Sequence, residues 1–214
     1  MLGILSGLEA ETKIARRIVG ADVTASGARP QKARWLAREL VKRGATKLLS
    51  FGIAGGLEPG LPIGSMVIGT HVKARDGTWA CDNKWIADLT QKFPAAHCGS
   101  VWGSEVIISS AREKRALYEK SRCLIVDMES QCAAQIAAEA NLPCVVLRVI
   151  CDTSEMAVPP VVMVAIGEDG SIHAGRALWH LVKKPWQIPS LIHMMLGTNK
   201  ALSVLKDTAQ VLAS

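Results

Sequence analysis

Short apolar runs and amphipathic stretches alternate along most of the chain. Leu2 to Ser6, Lys47 to Ile53, Ser65 to Thr70, Cys123 to Asp127 and Cys144 to Ile150 are of strand length, rich in Val, Ile and Leu, and bounded by turn residues. Val23 to Ser26 is a shorter strand candidate. Between them Ala33, Leu36, Ala37, Leu40 and Val41 recur at helical spacing. Pro30 precedes them, and a first helical turn accepts proline because its missing N–H would be unpaired there anyway. Met128 to Ala140 reads as a second helix, dense in alanine and ended by Asn141-Leu142-Pro143. Strands that are apolar on both faces need cover on both faces. The alternation therefore predicts an α/β sandwich with a largely buried sheet. Glu155 to Gly170 is the least regular stretch: Pro159-Pro160 and Gly167-Glu168-Asp169-Gly170 read as a loop, a candidate lid with a short hairpin. No repeat, low-complexity linker or boundary divides the chain, so one domain is expected over 1–214, with a C-terminal helical segment from about 170 to 214.

Composition narrows the class. With 49% hydrophobic and 21% charged residues, the 214-residue chain is too apolar for disorder and long enough for one sizeable core. No apolar run reaches the roughly 18 residues of a membrane span. The apolar start, Met1 to Ser6, lacks the basic region of a signal peptide and reads as a first strand, so a cytoplasmic protein is expected. The six cysteines show no paired-ligand spacing; free thiols and no metal site are expected. A net charge of +6 raises nucleic acid as a partner. Yet Arg16, Arg17, Arg38, Lys42 and Arg43 fall mainly on helix faces without interleaved aromatics, which suits a solvated surface better. Near the C-terminus, Trp179 to Trp186 and Ile188 to Leu196 mix apolar and aromatic residues with Lys183 and Lys184. Such a stretch fits an ordinary amphipathic helix with a basic cap, or a peripheral contact with a membrane.

Three patches carry candidate chemistry. Ser6-Gly7-Leu8-Glu9-Ala10-Glu11 runs from a strand through glycine into a helix, where α/β proteins place ligands. Glutamates in a first helical turn also suit the helix dipole. Phe51-Gly52-Ile53-Ala54-Gly55-Gly56-Leu57 ends a strand with no side chain at its glycines, so a ligand can lie on the backbone. A plain tight turn would use the same glycines. The spacing is not that of a dinucleotide-binding fingerprint, and a strand follows rather than a helix. The third patch pairs Asp127-Met128-Glu129-Ser130 with Arg148-Val149-Ile150-Cys151-Asp152. Carboxylates at neighbouring strand ends, with an arginine inside a buried strand, are costly unless paired or used. A carboxylate such as Glu129 can accept both hydroxyls of a ribose, and Asp152 can hold the proton that a purine N7 needs before it leaves. Each acid alone would serve equally as a helix cap.

Taken in order, these motifs resemble the nucleoside phosphorylase and methylthioadenosine/S-adenosylhomocysteine nucleosidase superfamily over roughly residues 1–155. The absence of a hairpin insertion between Ile18 and Val23, Ser50 to Leu57, and the tail Lys184-Pro185-Trp186-Gln187-Ile188-Pro189 resemble the hopanoid-associated phosphorylases, which are linked to removal of adenine from adenosylhopane. The resemblance implies a three-layer αβα sandwich around a central mixed sheet, a homo-oligomer, and an enzyme that needs no cofactor, with phosphate as a co-substrate in some branches. It makes Asp152 the general acid and Glu11 the acid that positions a water. It has Glu129 grip the ribose hydroxyls, with Met128 under the sugar. Ala54 and Gly55 line base and sugar, Val106 and Ile107 meet the base through their backbone, and Arg148 orients Asp152. Glu11 and Ser50 stand where phosphorylases often carry arginine, which favours hydrolysis over phosphorolysis. Ile53 replaces a Ser or Thr that donates to phosphate or water, which weakens the nucleosidase cradle as well. Arg29 is the first cation that would rescue an anion site. The substrate implied is a small-molecule or lipid nucleoside. The alternatives are a general methylthioadenosine/S-adenosylhomocysteine nucleosidase, a non-catalytic nucleoside-binding module, and a basic nucleic-acid-binding protein.

Overall fold

The computed structural model describes residues 1–165, 179 and 184–213. The hairpin expected around Gly167 to Gly170, and His180 to Lys183 of the basic aromatic stretch, lie outside the described residues. Eight strands form one mixed sheet: β1 (Leu2–Ser6), β2 (Ala21–Ala25), β3 (Lys47–Gly56), β4 (Met66–Ala74), β5 (Gly77–Ala80), β6 (His97–Gly103), β7 (Ile125–Asp127) and β8 (Cys144–Asp152). Among the described residues the α-helices are α1 (Glu9–Ala15), α2 (Pro30–Lys42), α3 (Asn83–Lys92), α4 (Ala111–Ser121), α5 (Ser130–Glu139), α6 (Pro160–Ala165) and α7 (Ile188–Ala213).

The strand order is β2-β1-β3-β7-β6-β4-β5, and β8 pairs with both β3 and β4. β3, β7, β6, β4 and β8 therefore close into a ring, with β1 and β2 extending from β3 and β5 from β4. All nine residues of β8 are buried, which explains why it is apolar apart from Arg148 and Asp152. Helices α2 and α5 pack on each other, as do α1 and α7, and β3 and β8 are contacted by α5 and by α7. Small residues allow close approach. α5 buries Cys132, Ala133, Ala134 and Ala137, and α7 crosses β8 at Gly197, where a Cβ would collide with the Cys151 carbonyl oxygen.

One edge of β3 is split. β8 takes the other edge from Leu48 to Gly55, whereas β1 pairs with Lys47 to Ser50 and β7 only with Gly55 and Gly56. Residues 51–54 are left without a strand partner on that side. This gap lies beyond the C-terminal end of β1, the position where α/β sheets gather ligands.

Two expectations from the sequence change. The stretch from Glu155 is not all loop, because Pro160 opens α6, a proline at a helix start just like Pro30. The helix expected from Met128 begins at Ser130, because Asp127 Oδ1 accepts the backbone N–H groups of Glu129 (3.1 Å) and Ser130 (2.8 Å) and bends the chain first.

Candidate active site

Glu11, Ala54, Gly55, Val106, Ile107, Met128, Glu129 and Asp152 surround a single pocket of about 1070 Å³ at the split edge. Arg148 lies beneath it rather than in its lining.

Glu11 is buried in the first turn of α1. Its Oε2 accepts the backbone N–H groups of Gly7 (2.7 Å) and Leu8 (2.8 Å), and its Oε1 that of Ile53 (2.9 Å). The side chain thus takes a donor that a neighbouring strand would otherwise satisfy, which is how the gap in β3 is tolerated. Burial pushes the Glu11 carboxyl up from its ordinary range, opposed by Arg148 and the three N–H groups. Glu129 follows β7 at the start of α5. Its Oε1 accepts from the Ser26 hydroxyl (2.8 Å) and its Oε2 from Arg148 Nη2 (3.2 Å). Burial pushes it to about 7, Arg148 pulls the other way, and Asp127 and Glu11 add repulsion. Glu129 is thereby held where a carboxyl can exchange protons near neutral pH.

Arg148 explains the glycine at position 52. The two residues are in register on β8 and β3. A Cβ on Gly52 would sit 2.6 Å from Arg148 Nη1 and 2.8 Å from the Glu11 carboxyl carbon. Without it the guanidinium crosses over β3 and reaches the far edge. There Nη2 donates to Ser50 Oγ (2.7 Å) and Glu129, and Nη1 to the Ile53 carbonyl (3.3 Å). Nε lies 2.9 Å from Asp127 Oδ2, an ion-pair contact without hydrogen-bond geometry. Ser50 and Ser130 bridge hydroxyls at 3.0 Å, and Ser130 donates to Asp127 Oδ2. Ser50, the departure from the phosphorylase pattern, carries Arg148.

The expected pairing of Arg148 with Asp152 is corrected here. Arg148 serves Asp127 and Glu129, and the cation on Asp152 is Lys114 of α4. Lys114 is fully buried and donates to Asp152 Oδ2, the Thr153 carbonyl (2.8 Å) and the Met156 carbonyl (3.0 Å). Asp152 Oδ1 accepts from the Cys151 thiol at 3.2 Å, and Gly55 leaves the carboxylate facing the pocket. The sequence offers one signal for Lys114. It shares a helical face with Leu117 and Tyr118, which pack on a small cluster around Leu57 and Cys123. Ser26 and Ser104 were equally unread. The Ser104 hydroxyl donates to the Val106 carbonyl (2.7 Å) and accepts its N–H (3.3 Å), so the backbone of Val106 is already occupied.

Much of the pocket's remaining lining is apolar. Val158, Val161 and Val162 line it from α6 and the turn before it, and Leu191, Met194, Met195 and Leu202 line it from α7. Among the described residues no cluster of His, Cys, Asp and Glu could hold a metal ion.

A mixed sheet with a buried acid cluster at its split edge defines an α/β protein with a large, carboxylate-lined pocket. Residues 26–161 match the Phosphorylase superfamily, and the chain belongs to that superfamily. It is 26% identical over 133 residues to the 5′-methylthioadenosine/S-adenosylhomocysteine nucleosidase of Baumannia cicadellinicola subsp. Homalodisca coagulata, covering 52% of this chain and 58% of that protein. The chain therefore spans little more than half the length of that relative. The fold is similar to that of the corresponding nucleosidase of Neisseria meningitidis in complex with methylthio-immucillin-A (TM-score 0.75, 16% identity, 99% of this chain and 98% of that one). It is also similar to futalosine hydrolase of Helicobacter pylori (TM-score 0.74, 14% identity, 99% and 96%).

Proposed function

We propose that the protein hydrolyses the N-glycosidic bond of an adenine nucleoside whose 5′ substituent is large and apolar, with adenosylhopane the candidate. The observation that carries this is one pocket lined both by Glu11, Glu129 and Asp152 and by apolar side chains of α6 and α7. Glu129 accepts the ribose hydroxyls, with Met128 beside the sugar. Asp152 delivers a proton to N7, and the electron pair of the C1′–N9 bond leaves with the purine. Glu11 takes a proton from the water that attacks the cationic C1′. Water is favoured over phosphate because an incoming dianion would meet Glu11, Glu129 and Asp127. Arg148 is already committed to two carboxylates, and Lys13 at the pocket edge pairs with Glu9 at 3.0 Å.

Purified protein incubated with adenosylhopane, methylthioadenosine and adenosine, with and without phosphate, tests this by chromatography of released adenine. Phosphate-independent release with a free sugar product, fastest for the apolar nucleoside, is expected. Strict phosphate dependence with a 1-phosphate product would overturn hydrolysis, and Arg29 would be the first cation to mutate. Preference for methylthioadenosine would favour the general nucleosidase, and tight binding without release a non-catalytic module.

No helix among the described residues is long and apolar enough to cross a membrane. We infer instead a peripheral contact. The half of α7 that lines the pocket also exposes Ile188 (42%), Ile192 and Leu196 (63%), next to Trp186 (69%) and the exposed Lys184. Such a face rests at the lipid interface beside an apolar channel mouth. Co-sedimentation with anionic vesicles at low salt is expected, weakened by Trp186→Ala combined with Lys184→Ala. Protein that stays wholly in the supernatant would dismiss the contact and leave the cleavage reading intact. We carry the homo-oligomer forward on Val106, 59% exposed at the pocket rim, where a second copy would close the site. Light scattering giving the mass of one chain would remove it.

A further inference from the structure

We propose that Lys114 is the proton reserve of the general acid: its ammonium hands Asp152 the proton that Asp152 passes to the leaving purine. The inference rests on the nucleoside-cleaving role assigned to Asp152 above, and it concerns a residue on α4, outside every motif that marks the site.

A fully buried lysine keeps its charge only where its protons find acceptors. Lys114 has three, one for each N–H: Asp152 Oδ2, the Thr153 carbonyl at 2.8 Å and the Met156 carbonyl at 3.0 Å. The pair is therefore an ammonium and a carboxylate, and Asp152 rests without a proton of its own. A general acid in that state must receive a proton before it can give one. The thiol of Cys151, 3.2 Å from Oδ1, is a poor source. Burial and the adjacent Asp152 push its pKa well above the ordinary thiol value, so it holds its proton. Glu11 of α1 faces the same thiol across the pocket, and Glu155 and Arg115 face each other at the exposed end of the loop. Lys114 is the donor already bonded to the acid.

The transfer balances without a co-reactant. An Nζ–H bond of Lys114 breaks, its electron pair stays on nitrogen, and the proton moves to Asp152 Oδ2. Asp152 then protonates N7 as the C1′–N9 pair collapses into the purine, leaving a carboxylate beside a neutral amine. The amine regains a proton from solvent through Asp152 once the purine has left. Such a pair stays competent as long as it shares one proton.

The test compares pH profiles of kcat/KM for adenine release by wild type, Lys114→Met and Lys114→Arg. Wild type should hold its rate through pH 8. Lys114→Met should fall ~10²-fold below wild type at pH 8, and much of that gap should close near pH 5.5, where Glu11 and Glu129 affect both proteins alike. Arginine keeps the charge but does not surrender a proton, so it should not restore the rate at pH 8. Restoration by arginine, or a loss in Lys114→Met that is equal at every pH, would make Lys114 a structural anchor and overturn the proposal. A second readout needs no turnover: the 13C carboxyl signal of Asp152, assigned with Asp152→Asn. It should stay ionised from pH 5 to 9 in wild type and titrate within that range in Lys114→Met. An unmoved titration would overturn the reserve, whereas absence of adenine release by wild type would instead overturn the nucleosidase reading.

Discussion

Asp152→Asn is expected to lower adenine release by about 10²–10⁴-fold, the usual cost of losing a positioned acid. It should also destabilise the fold. Lys114 is buried and has Asp152 as its counter-ion. Removing one partner of a buried ion pair leaves an uncompensated charge, which costs about 3–5 kcal/mol. The double variant Asp152→Asn/Lys114→Met separates the two effects, because it removes both charges. Its melting temperature should rise above that of Asp152→Asn while its turnover stays low. Thermal melts and chromatographic assays of the three proteins check this. A single variant with near-wild-type turnover would take the acid's role away from Asp152.

Arg148→Met is the second large expected effect, and its signature is pH. The guanidinium contacts Asp127 at 2.9 Å and Glu129 at 3.2 Å, and it opposes the rise of Glu11. Its loss leaves buried acids facing one another, again about 3–5 kcal/mol against a total stability of roughly 5–15 kcal/mol. The sign follows from proton counts. Glu129 already sits at about 7, above the ordinary carboxyl value of 4.5, and removing the cation drives it higher. Between those values the native state holds a proton that the unfolded chain has released, so stability is highest at the acidic end and falls as pH rises through the native pKa. The variant should therefore melt early at pH 8 and approach wild type near pH 5. Melts across that range decide it. A variant as stable as wild type at pH 8 would show that the acids do not depend on Arg148.

What the sequence revealed depended on how local each signal was. β1, β3, β8, α2 and α5 were legible because apolar runs and helical spacing are properties of a few adjacent residues. The ring was not, since nothing in Cys144 to Asp152 states that the strand pairs with β4 as well as β3. The acids were legible as residue types at strand ends, but their partners were not. Arg148 and Asp152 are near in sequence, yet four residues of extended chain span about 13 Å. The cation instead works sideways, over Gly52 to a neighbouring edge. Lys114 was hidden in the charged run Arg112-Glu113-Lys114-Arg115, where its helical spacing to Leu117 and Tyr118 is the one mark of the buried member. α6 was missed although Pro160 carries the same start signal as Pro30, because the neighbouring Pro159 made the pair look like a turn.

The split edge of β3 also makes one amide different from its neighbours. In a continuous sheet, hydrogen exchange at a central strand reports the opening of the sheet. The Ile53 N–H is held by the Glu11 carboxylate, and its carbonyl by Arg148. Its exchange therefore follows the side chains of the site, while Leu49 and Val146 follow the ladder of β3 and β8. A bound nucleoside that draws Glu11 toward its attacking water should alter protection at Ile53 and leave those neighbours unchanged. The strand thus carries a single-proton gauge of occupancy that needs no label on the ligand.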